Sequence, residues 1–181
     1  LVLQLAKCID TGEPFLGRAT RQARVLHIAL EDGERRIYER ANILKWQPQQ
    51  TAVLFEIAKF DGSGGTAGPV LTQIREAAAT YELIIIDTLI ASLSGAANEN
   101  DNVQMGAIIN ELARIAHENE VAIVIVHHTG KTVSDDVFNT LRGASALRGG
   151  YDVGLLLERM QGEKEAILHA ESRDIDVEPM T

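Results

Sequence analysis

Short apolar runs and segments with helical spacing alternate along most of the chain. Continuous apolar runs rich in β-branched residues are typical of strands buried on both faces of a parallel sheet. Such a run lies within 81–88 and a second, fully apolar one at 121–126, and the segments 24–30 and 51–57 are further predicted strands. Helical spacing marks the segments 1–9, 34–44, 69–80 and 103–119. Such alternation predicts right-handed crossovers and an α/β fold, with a mainly parallel, twisted sheet and helices on both faces.

The last part of the chain follows a different pattern. The segments 151–158 and 165–171 have the character of strands, and Gln161-Gly162-Glu163 between them is a hairpin signal. We therefore predict antiparallel C-terminal strands, and we expect a further strand to begin within 176–179. The polar and glycine-containing stretches 61–68 and 91–102 are typical of loops. Because neither an internal repeat nor a linker is visible, we predict a single domain over residues 1–181.

Composition and charge narrow the classes of function. The chain has 181 residues, of which 45% are hydrophobic and 24% charged, as in ordinary globular proteins. A formal net charge of −9 argues against a general electrostatic grip on nucleic acid, although a local basic loop remains compatible with it. Cys8 is the only cysteine, which indicates a reducing compartment and a buried structural thiol. No apolar run reaches the ~20 residues that span a bilayer, so we expect a cytoplasmic protein without a membrane partner.

Three predicted strands end in residues whose side chains can take part in catalysis or ligand binding. Glu31-Asp32 follow the first strand, Asp87-Thr88 follow the third, and His127-His128-Thr129 follow the fourth. In a parallel sheet these ends share one edge, where α/β proteins bind ligands. Each group alone has a simpler explanation: helix capping for the acids, solvation for the histidines, and chance for an aspartate after an apolar run. Their coincidence predicts a site at this edge.

Several motifs at these positions resemble the RecA-like ATPases. They are the strand followed by Glu-Asp, Leu-Ile-Ile-Ile-Asp-Thr at 83–88, Val-Ile-Val-His-His-Thr-Gly-Lys at 124–131 and Arg-Gly-Ala-Ser-Ala-Leu-Arg-Gly at 142–149. Within these ATPases the chain is most similar to the subgroup of hexameric plasmid replicative helicases and their AAA-type relatives. The resemblance covers residues 1 to about 173, and the last two motifs are its most specific part.

The resemblance implies ATP and Mg²⁺ as cofactors. Asp87 would be the Walker B carboxylate that holds Mg²⁺, with Thr88 beside it in the nucleotide site. Glu31 would polarise the attacking water, with Asp32 as the second candidate for that role. His128, or in second place His127, would sense the γ-phosphate.

The resemblance also implies partners. In this family the subunits form a homo-oligomeric, hexameric ring, and Arg142 or Arg148 would reach a neighbouring subunit's nucleotide as an arginine finger. The loop 131–140 would face the central channel, where it could contact DNA.

Metal binding by His127 and His128 is a rival interpretation of the histidine pair. Adjacent residues on a strand point to opposite faces, and neither a cysteine nor a second histidine pair lies near them in sequence. We therefore do not favour a zinc site.

One part of the family pattern is missing from these 181 residues. The phosphate loop G-x-x-x-x-G-K-[ST] would directly precede the helix matched by residues 1–6. The glycines of 61–68 do not replace it, because neither Lys-Ser nor Lys-Thr follows them. Truncation of the sequence or loss of the loop would explain this, and we favour truncation because Leu1 is a poor natural start. Without the loop and the strand before it, we predict weak or no ATP binding, with self-association or rearrangement at the N-terminal helix.

Two functions of different class follow. The first is an ATP-hydrolysing motor domain, such as a DNA helicase or a replication or recombination protein, inactive as this fragment. The second is a non-hydrolysing, ATPase-like module for protein interaction, and a strand with Gly-Lys-Ser or Gly-Lys-Thr upstream of Leu1 would favour the first. A hydrolase using Ser92 or Ser94 has little support, because neither serine lies in a glycine-flanked nucleophile turn.

Overall fold

Four parallel strands form the sheet that the apolar runs predicted. The computed structural model describes residues 1–61, 68–95, 97, 101–130, 136–140, 147–159, 162 and 165–174. The strands are β1 (Val25–Ala29), β2 (Thr51–Leu54), β3 (Leu83–Asp87) and β4 (Ala122–Ile125), in the spatial order β2-β1-β3-β4. All three pairings are parallel.

Five α-helices that lie wholly within the described part of the chain accompany these strands. They are α1 (Val2–Thr11), α2 (Glu34–Ile43), α3 (Pro69–Ala78), α4 (Leu89–Ser92) and α5 (Asn102–Asn119). Together with the parallel sheet they confirm the predicted α/β class and its RecA-like arrangement. The longer helices begin and end close to their predicted limits. None of the described helices is both long enough and apolar enough to cross a membrane.

The residues fall into two compact units. The first comprises Leu1–Asn98 and Glu111–His127 and contains the four-stranded sheet. The second comprises Glu99–Asn110 and His128–Thr181. Helix α5 contributes its N-terminal half to the second unit and the remainder to the first. The interpretation as one domain stays a prediction.

In the first unit, one face of the sheet is covered by α1 and α2. Side chains alternate along a strand, so the odd-numbered residues of β1 and β3 share a face. The buried cluster on this face combines strand and helix residues: Leu3, Ala6, Val25, Ala29, Ile37, Ala41, Trp46, Leu83 and Ile85. On the opposite face Ile84 and Ile86 are also buried. β3 is therefore buried on both faces, as its continuous apolar run predicted, and β1 is too, since Leu26 and Ile28 are also buried.

Strand β4 differs from that expectation. Its residue Ala122 is exposed, and the other three residues of the strand are only partly buried. Among the described residues the ladder pairs β4 with β3 alone, so its second edge has no strand covering it there. An apolar run thus predicted the strand correctly and its full burial wrongly.

Helix α1 continues beyond the end that the turn residues suggested. The prediction ended it at Ile9, but it runs through Asp10 and Thr11 and stops at Gly12, whose φ of 75° places it in the left-handed region. Glycine adopts this conformation without steric cost, which makes it a common residue after a helix.

Cys8 is buried, and burial raises the pKa of its thiol, Glu13 adding to this effect and Lys7 opposing it. The predicted structural thiol is therefore confirmed.

A short helix occupies part of the predicted loop 91–102. Helix α4 begins directly after Thr88, whose hydroxyl accepts a hydrogen bond from the Ala91 N–H at 3.3 Å. The loop prediction failed here because four residues are too few to show helical periodicity. The predicted strand 51–57 is also shorter, since β2 ends at Leu54.

The second unit contains an antiparallel pair of strands, as predicted. Strands β5 (Val153–Glu158) and β6 (Ile167–Ser172) pair from Val153–Ser172 to Glu158–Ile167. A 3₁₀-helix at Val137–Thr140 lies within the same unit. Most of the glycine-rich stretch 61–68, the turn residues Gln161 and Glu163, and the strand expected within 176–179 lie outside the described residues.

Candidate functional site

The carboxyl ends of β1, β3 and β4 lie side by side, as the site prediction required. Ala29 pairs with Asp87, and Ile86 pairs with Ile125. The ladders continue past the strand limits. The Leu30 N–H donates to the Asp87 carbonyl at 2.7 Å, and the Val126 N–H donates to the Ile86 carbonyl at 2.9 Å. The residues that follow each strand therefore start from one edge of the sheet.

Thr88 and Glu31 meet at this edge although 57 residues separate them. The Thr88 hydroxyl donates to Glu31 Oε1 at 2.7 Å. The same hydroxyl caps α4 by accepting the Ala91 N–H, so the position of its oxygen is set by the helix. Thr88 is 1% exposed, and its hydroxyl therefore holds the Glu31 carboxylate from a buried position.

Asp87 closes β3 and is joined to Thr88 by a cis peptide bond. Its side chain is 23% exposed, between the buried strand and the open edge of the sheet. A carboxylate that is partly exposed at a strand end can accept a cation without losing all its contact with water. The apolar residues before it, Ile84 to Ile86, anchor the strand that presents it.

The two acids after β1 have different surroundings. Asp32 accepts a hydrogen bond from Arg36 at 2.9 Å and contacts Arg40, both on α2. It thus binds cations on its own helix, whereas Glu31 binds a hydroxyl of the neighbouring strand end. Because Asp32 is already engaged by two guanidinium groups, the geometry favours Glu31 over Asp32 for contact with a ligand at the edge.

His27 is a residue of this region that the sequence reasoning missed. It lies on β1, is 1% exposed, and places Nε2 3.4 Å from Asp87 Oδ2. Its position inside an apolar run concealed it. Strand alternation would have put His27 on the same face as Ala29, the residue in register with Asp87.

The predicted sensor and finger residues lie in different parts of the chain. His127 follows β4 in the first unit and is partly buried. His128 is exposed and belongs to the second unit. Arg142 lies outside the described residues, as do 131–135 of the loop 131–140. The sensing role of either histidine stays a prediction.

Arg148 lies in a polar cluster within the second unit. Its guanidinium donates to Asp136 at 2.6 Å and to Glu171 at 2.5 Å, and it lies 5.7 Å from the centre of the Phe138 ring. The Tyr151 hydroxyl donates to the same Glu171 carboxylate. An arginine finger must reach another subunit's nucleotide, so that role would require Arg148 to leave these contacts.

The charges of this cluster shift one another's pKa values. Hydrogen bonds to Asp136 and Glu171 raise the pKa of Arg148, and Arg148 lowers the pKa of Asp136. Burial, followed by the contact with Glu171, raises the pKa of the Tyr151 phenol. The Arg148–Asp136 ion pair therefore remains charged and the Tyr151 phenol remains a donor through the neutral pH range.

The chemistry of the donor atoms at the sheet edge fits Mg²⁺. The groups at the ends of β1 and β3 are carboxylate and hydroxyl oxygens, which are the hard ligands that this ion prefers. Mg²⁺ in nucleotide sites typically takes one or two protein carboxylates and completes its shell with phosphate and water. Among the described residues, no group of three or more His, Cys, Asp or Glu side chains could hold a metal by itself.

Comparison with known proteins identifies the family. Residues 1–134 of the 181 match the family model described as an AAA domain. No curated protein matches the chain. The matched range contains the whole four-stranded sheet and the strand ends that carry Glu31, Asp87 and His127. The chain therefore belongs to the AAA domain family, a group of nucleotide-binding modules of the P-loop ATPase type.

Proposed function

We propose that this domain is the ATP-binding and ATP-hydrolysing motor part of a RecA-like protein, and that residues 1–181 without a phosphate loop are inactive. The observation that carries the proposal is the hydrogen bond of 2.7 Å from Thr88 to Glu31, directly beside Asp87. This bond joins the Glu31 carboxylate, which follows β1, to Thr88. Thr88 directly follows Asp87, the carboxylate at the end of β3. Phosphoryl transfer requires a cation ligand and a water-positioning group at such a place.

Each residue then has a distinct task. Asp87 would hold Mg²⁺, which when bound neutralises charge on the terminal phosphates. Glu31 would orient and polarise the attacking water. Thr88 would keep the Glu31 carboxylate in place, because its own oxygen is held by the first turn of α4. A pre-positioned carboxylate loses little orientational freedom when the reaction begins.

The test is phosphate release from Mg-ATP, with calorimetric titration of Mg-ATP, on protein that carries these residues together with a phosphate loop, because residues 1–181 contain no such loop. We expect Glu31→Gln to keep ATP binding and to lower turnover by about 10²- to 10⁴-fold. Thr88→Val keeps the side-chain volume and removes the donor. It should lower turnover by roughly 10- to 100-fold, the effect of a lost hydrogen bond to a charged group.

Two further variants make this test specific. Asp32→Asn should weaken the contacts with Arg36 and Arg40 and leave the greater part of turnover, in contrast to Glu31→Gln. Glu39→Gln, on the exposed side of α2, is the control for loss of one negative charge. Equal losses of turnover for Glu31→Gln and Glu39→Gln would contradict the assignment of Glu31.

A second candidate function is a non-hydrolysing module for protein interaction. The observation that favours it is the exposure of three apolar residues of β5: Val153, Leu155 and Leu157 are each more than half exposed. Failure to bind Mg-ATP by protein that carries a phosphate loop before these residues would favour this function over the first.

The molecule on which the motor would act and the oligomer that it would form are also proposals. The proposed homo-oligomeric ring, with DNA contacted through the loop 131–140, is based on the resemblance of the sequence motifs to hexameric RecA-like helicases. The described part of this loop, residues 136–140, includes Asp136, which is bonded to Arg148. The DNA contact would be supported if single-stranded DNA binds in a salt-dependent way and Lys131→Ala weakens the binding. Binding that depends neither on salt nor on Lys131 would argue against it.

A further inference from the structure

His27 and Asp87 form a pair in the first unit, and the sheet register brings them together. Residues 27 and 29 share a face of β1, residues 85 and 87 share a face of β3, and Ala29 lies opposite Asp87. The imidazole therefore reaches diagonally to the carboxylate, with 3.4 Å between Nε2 and Oδ2. This distance is longer than the usual N–H···O hydrogen bond.

The other side of the imidazole is apolar. His27 lies between Val25 and Ala29 on the strand face that α1 and α2 cover, and both residues are buried. Its Nδ1 atom is buried and has no hydrogen-bond partner among the described residues. One ring nitrogen thus faces a carboxylate, and the other is buried without a hydrogen-bond partner among the described residues.

This arrangement determines where the imidazole proton lies. A proton on Nε2 can be donated to Asp87 Oδ2. A proton on Nδ1 would leave a buried donor without a partner and would turn the Nε2 lone pair toward the carboxylate oxygen. The Nε2–H form is therefore the stable one, and the apolar surroundings strengthen its contact with Asp87.

We infer that His27 is a positioning residue, which donates from Nε2 to Asp87 Oδ2 and so leaves Oδ1 as the oxygen available to a divalent cation. The inference deepens the proposed function and rests on the cation-binding role given there to Asp87. His27 itself touches neither the cation nor the nucleotide. Its effect is to restrict rotation of the carboxylate, as the outer partners of metal ligands commonly do.

The first experiment requires no nucleotide and uses the chain with ¹⁵N-labelled histidine. Long-range ¹H–¹⁵N correlation spectra should show His27 with its proton on Nε2, exchanging slowly with water. Asp87→Leu removes the acceptor, so the Nε2–H resonance should move upfield and exchange faster. Asp87→Asn keeps a neutral acceptor and should give an intermediate shift. A proton on Nδ1, or a resonance unchanged by Asp87→Leu, would overturn the inference.

The second experiment measures how turnover depends on the concentration of Mg²⁺. His27→Leu should raise the Mg²⁺ concentration for half-maximal turnover by about 10- to 100-fold, with little change in the KM for ATP at saturating Mg²⁺. His27→Gln carries an amide N–H where Nε2–H was and should restore the greater part of the affinity. Val25→Ala, on the same face of β1, is the control for lost packing and should leave the Mg²⁺ dependence unchanged.

The two experiments distinguish failure of the proposed ATPase function from failure of the positioning role of His27. Absence of turnover in wild-type protein that carries a phosphate loop would contradict the proposed function. The proton position and its response to Asp87→Leu, measured without nucleotide, would still decide the role of His27. Equal Mg²⁺ dependence in His27→Leu and Val25→Ala, with turnover present in both, would contradict the positioning role alone. Circular dichroism of each variant confirms that it has folded.

Discussion

The Asp10 carboxylate is buried and accepts hydrogen bonds from four donors. Its residue exposure is 0%. Donors come from the Trp46 indole at 3.0 Å, the Gln50 N–H at 2.6 Å and the Thr51 hydroxyl at 2.8 Å, with the Gln49 N–H as a fourth. The carboxylate thus ties the end of α1 to the start of β2. A buried acceptor with this many donors is costly to remove, because each donor then lacks a partner.

We predict that Asp10→Ala lowers the free energy of unfolding by about 3 kcal/mol, and Asp10→Asn by about 1 to 2 kcal/mol. Asparagine keeps one acceptor oxygen but turns its own N–H groups toward the donors. Urea denaturation at pH 7 measures both losses. Glu39→Ala, which removes an exposed acid from α2, is the control and should change stability by less than about 0.5 kcal/mol.

The Asp10 carboxylate should also make the free energy of unfolding depend on pH. Burial raises the pKa of Asp10, but the hydrogen bonds from Trp46, Gln50, Gln49 and Thr51 outweigh it and lower the pKa overall. A lowered pKa in the folded state means that the stabilisation is complete above the unfolded value of about 3.9 and is lost as the pH falls through the folded value. The stability difference between wild type and Asp10→Asn should therefore shrink below about pH 4. A difference that stays constant from pH 7 to pH 3 would contradict this account.

At the scale of elements, the close approach of Gly150 to α5 holds part of the second unit together. A Cβ atom at Gly150 would lie 2.4 Å from Ile109 Cγ2 and 3.3 Å from Asn110 Oδ1. Both neighbours belong to the N-terminal half of α5, which is assigned to this unit. Glycine is required here by space, because any larger residue must push the helix away.

We predict that Gly150→Ala destabilises the protein by about 1 to 3 kcal/mol, through overpacking against Ile109. Ile109→Leu removes Cγ2 and keeps the side-chain volume, so Gly150→Ala should cost less in that background. A double-mutant cycle by thermal unfolding measures the coupling between the two sites. Gly95→Ala, where a Cβ would meet nothing within 4 Å, is the control. Additive costs would contradict direct contact between Gly150 and Ile109.

At the scale of the whole molecule, an acidic surface coexists with exposed apolar residues. The formal net charge is −9, which disfavours non-specific association. Nevertheless Val153, Leu155 and Leu157 are 54%, 56% and 52% exposed on one face of β5. Contiguous apolar residues on a strand surface commonly mark a contact with another protein.

We predict that the chain self-associates through β5, in a way that depends on concentration. Sedimentation velocity should show oligomers for the wild type and a shift toward monomer for the double substitution Leu155→Lys and Leu157→Lys. Ile43→Lys replaces an 80% exposed residue of α2 and is the control for added positive charge. Wild-type protein that stays monomeric at all concentrations, or oligomers that the β5 variant retains, would contradict the prediction.

The pattern of residues was sufficient for the class of fold and for the edge of the sheet at which the candidate site residues lie. Buried parallel strands require continuous apolar runs, and helices on their faces require a period of 3.6, so both are visible locally. Parallel strands also end at one edge, so the order of apolar runs alone places Glu31, Asp87 and His127 at a common edge. These conclusions depend on neighbours in sequence and on the general geometry of α/β folds.

Only the tertiary structure decided which side chains meet. The contacts of Thr88 with Glu31, His27 with Asp87, and Asp10 with Thr51 join residues 57, 60 and 41 positions apart. Such contacts depend on strand register and on helix placement, which a single sequence does not encode locally. The sequence by itself determined that chemistry gathers at one edge of a parallel sheet. The fold decided that Glu31, rather than Asp32, is held against Thr88, because Asp32 is bonded to the arginines of its own helix.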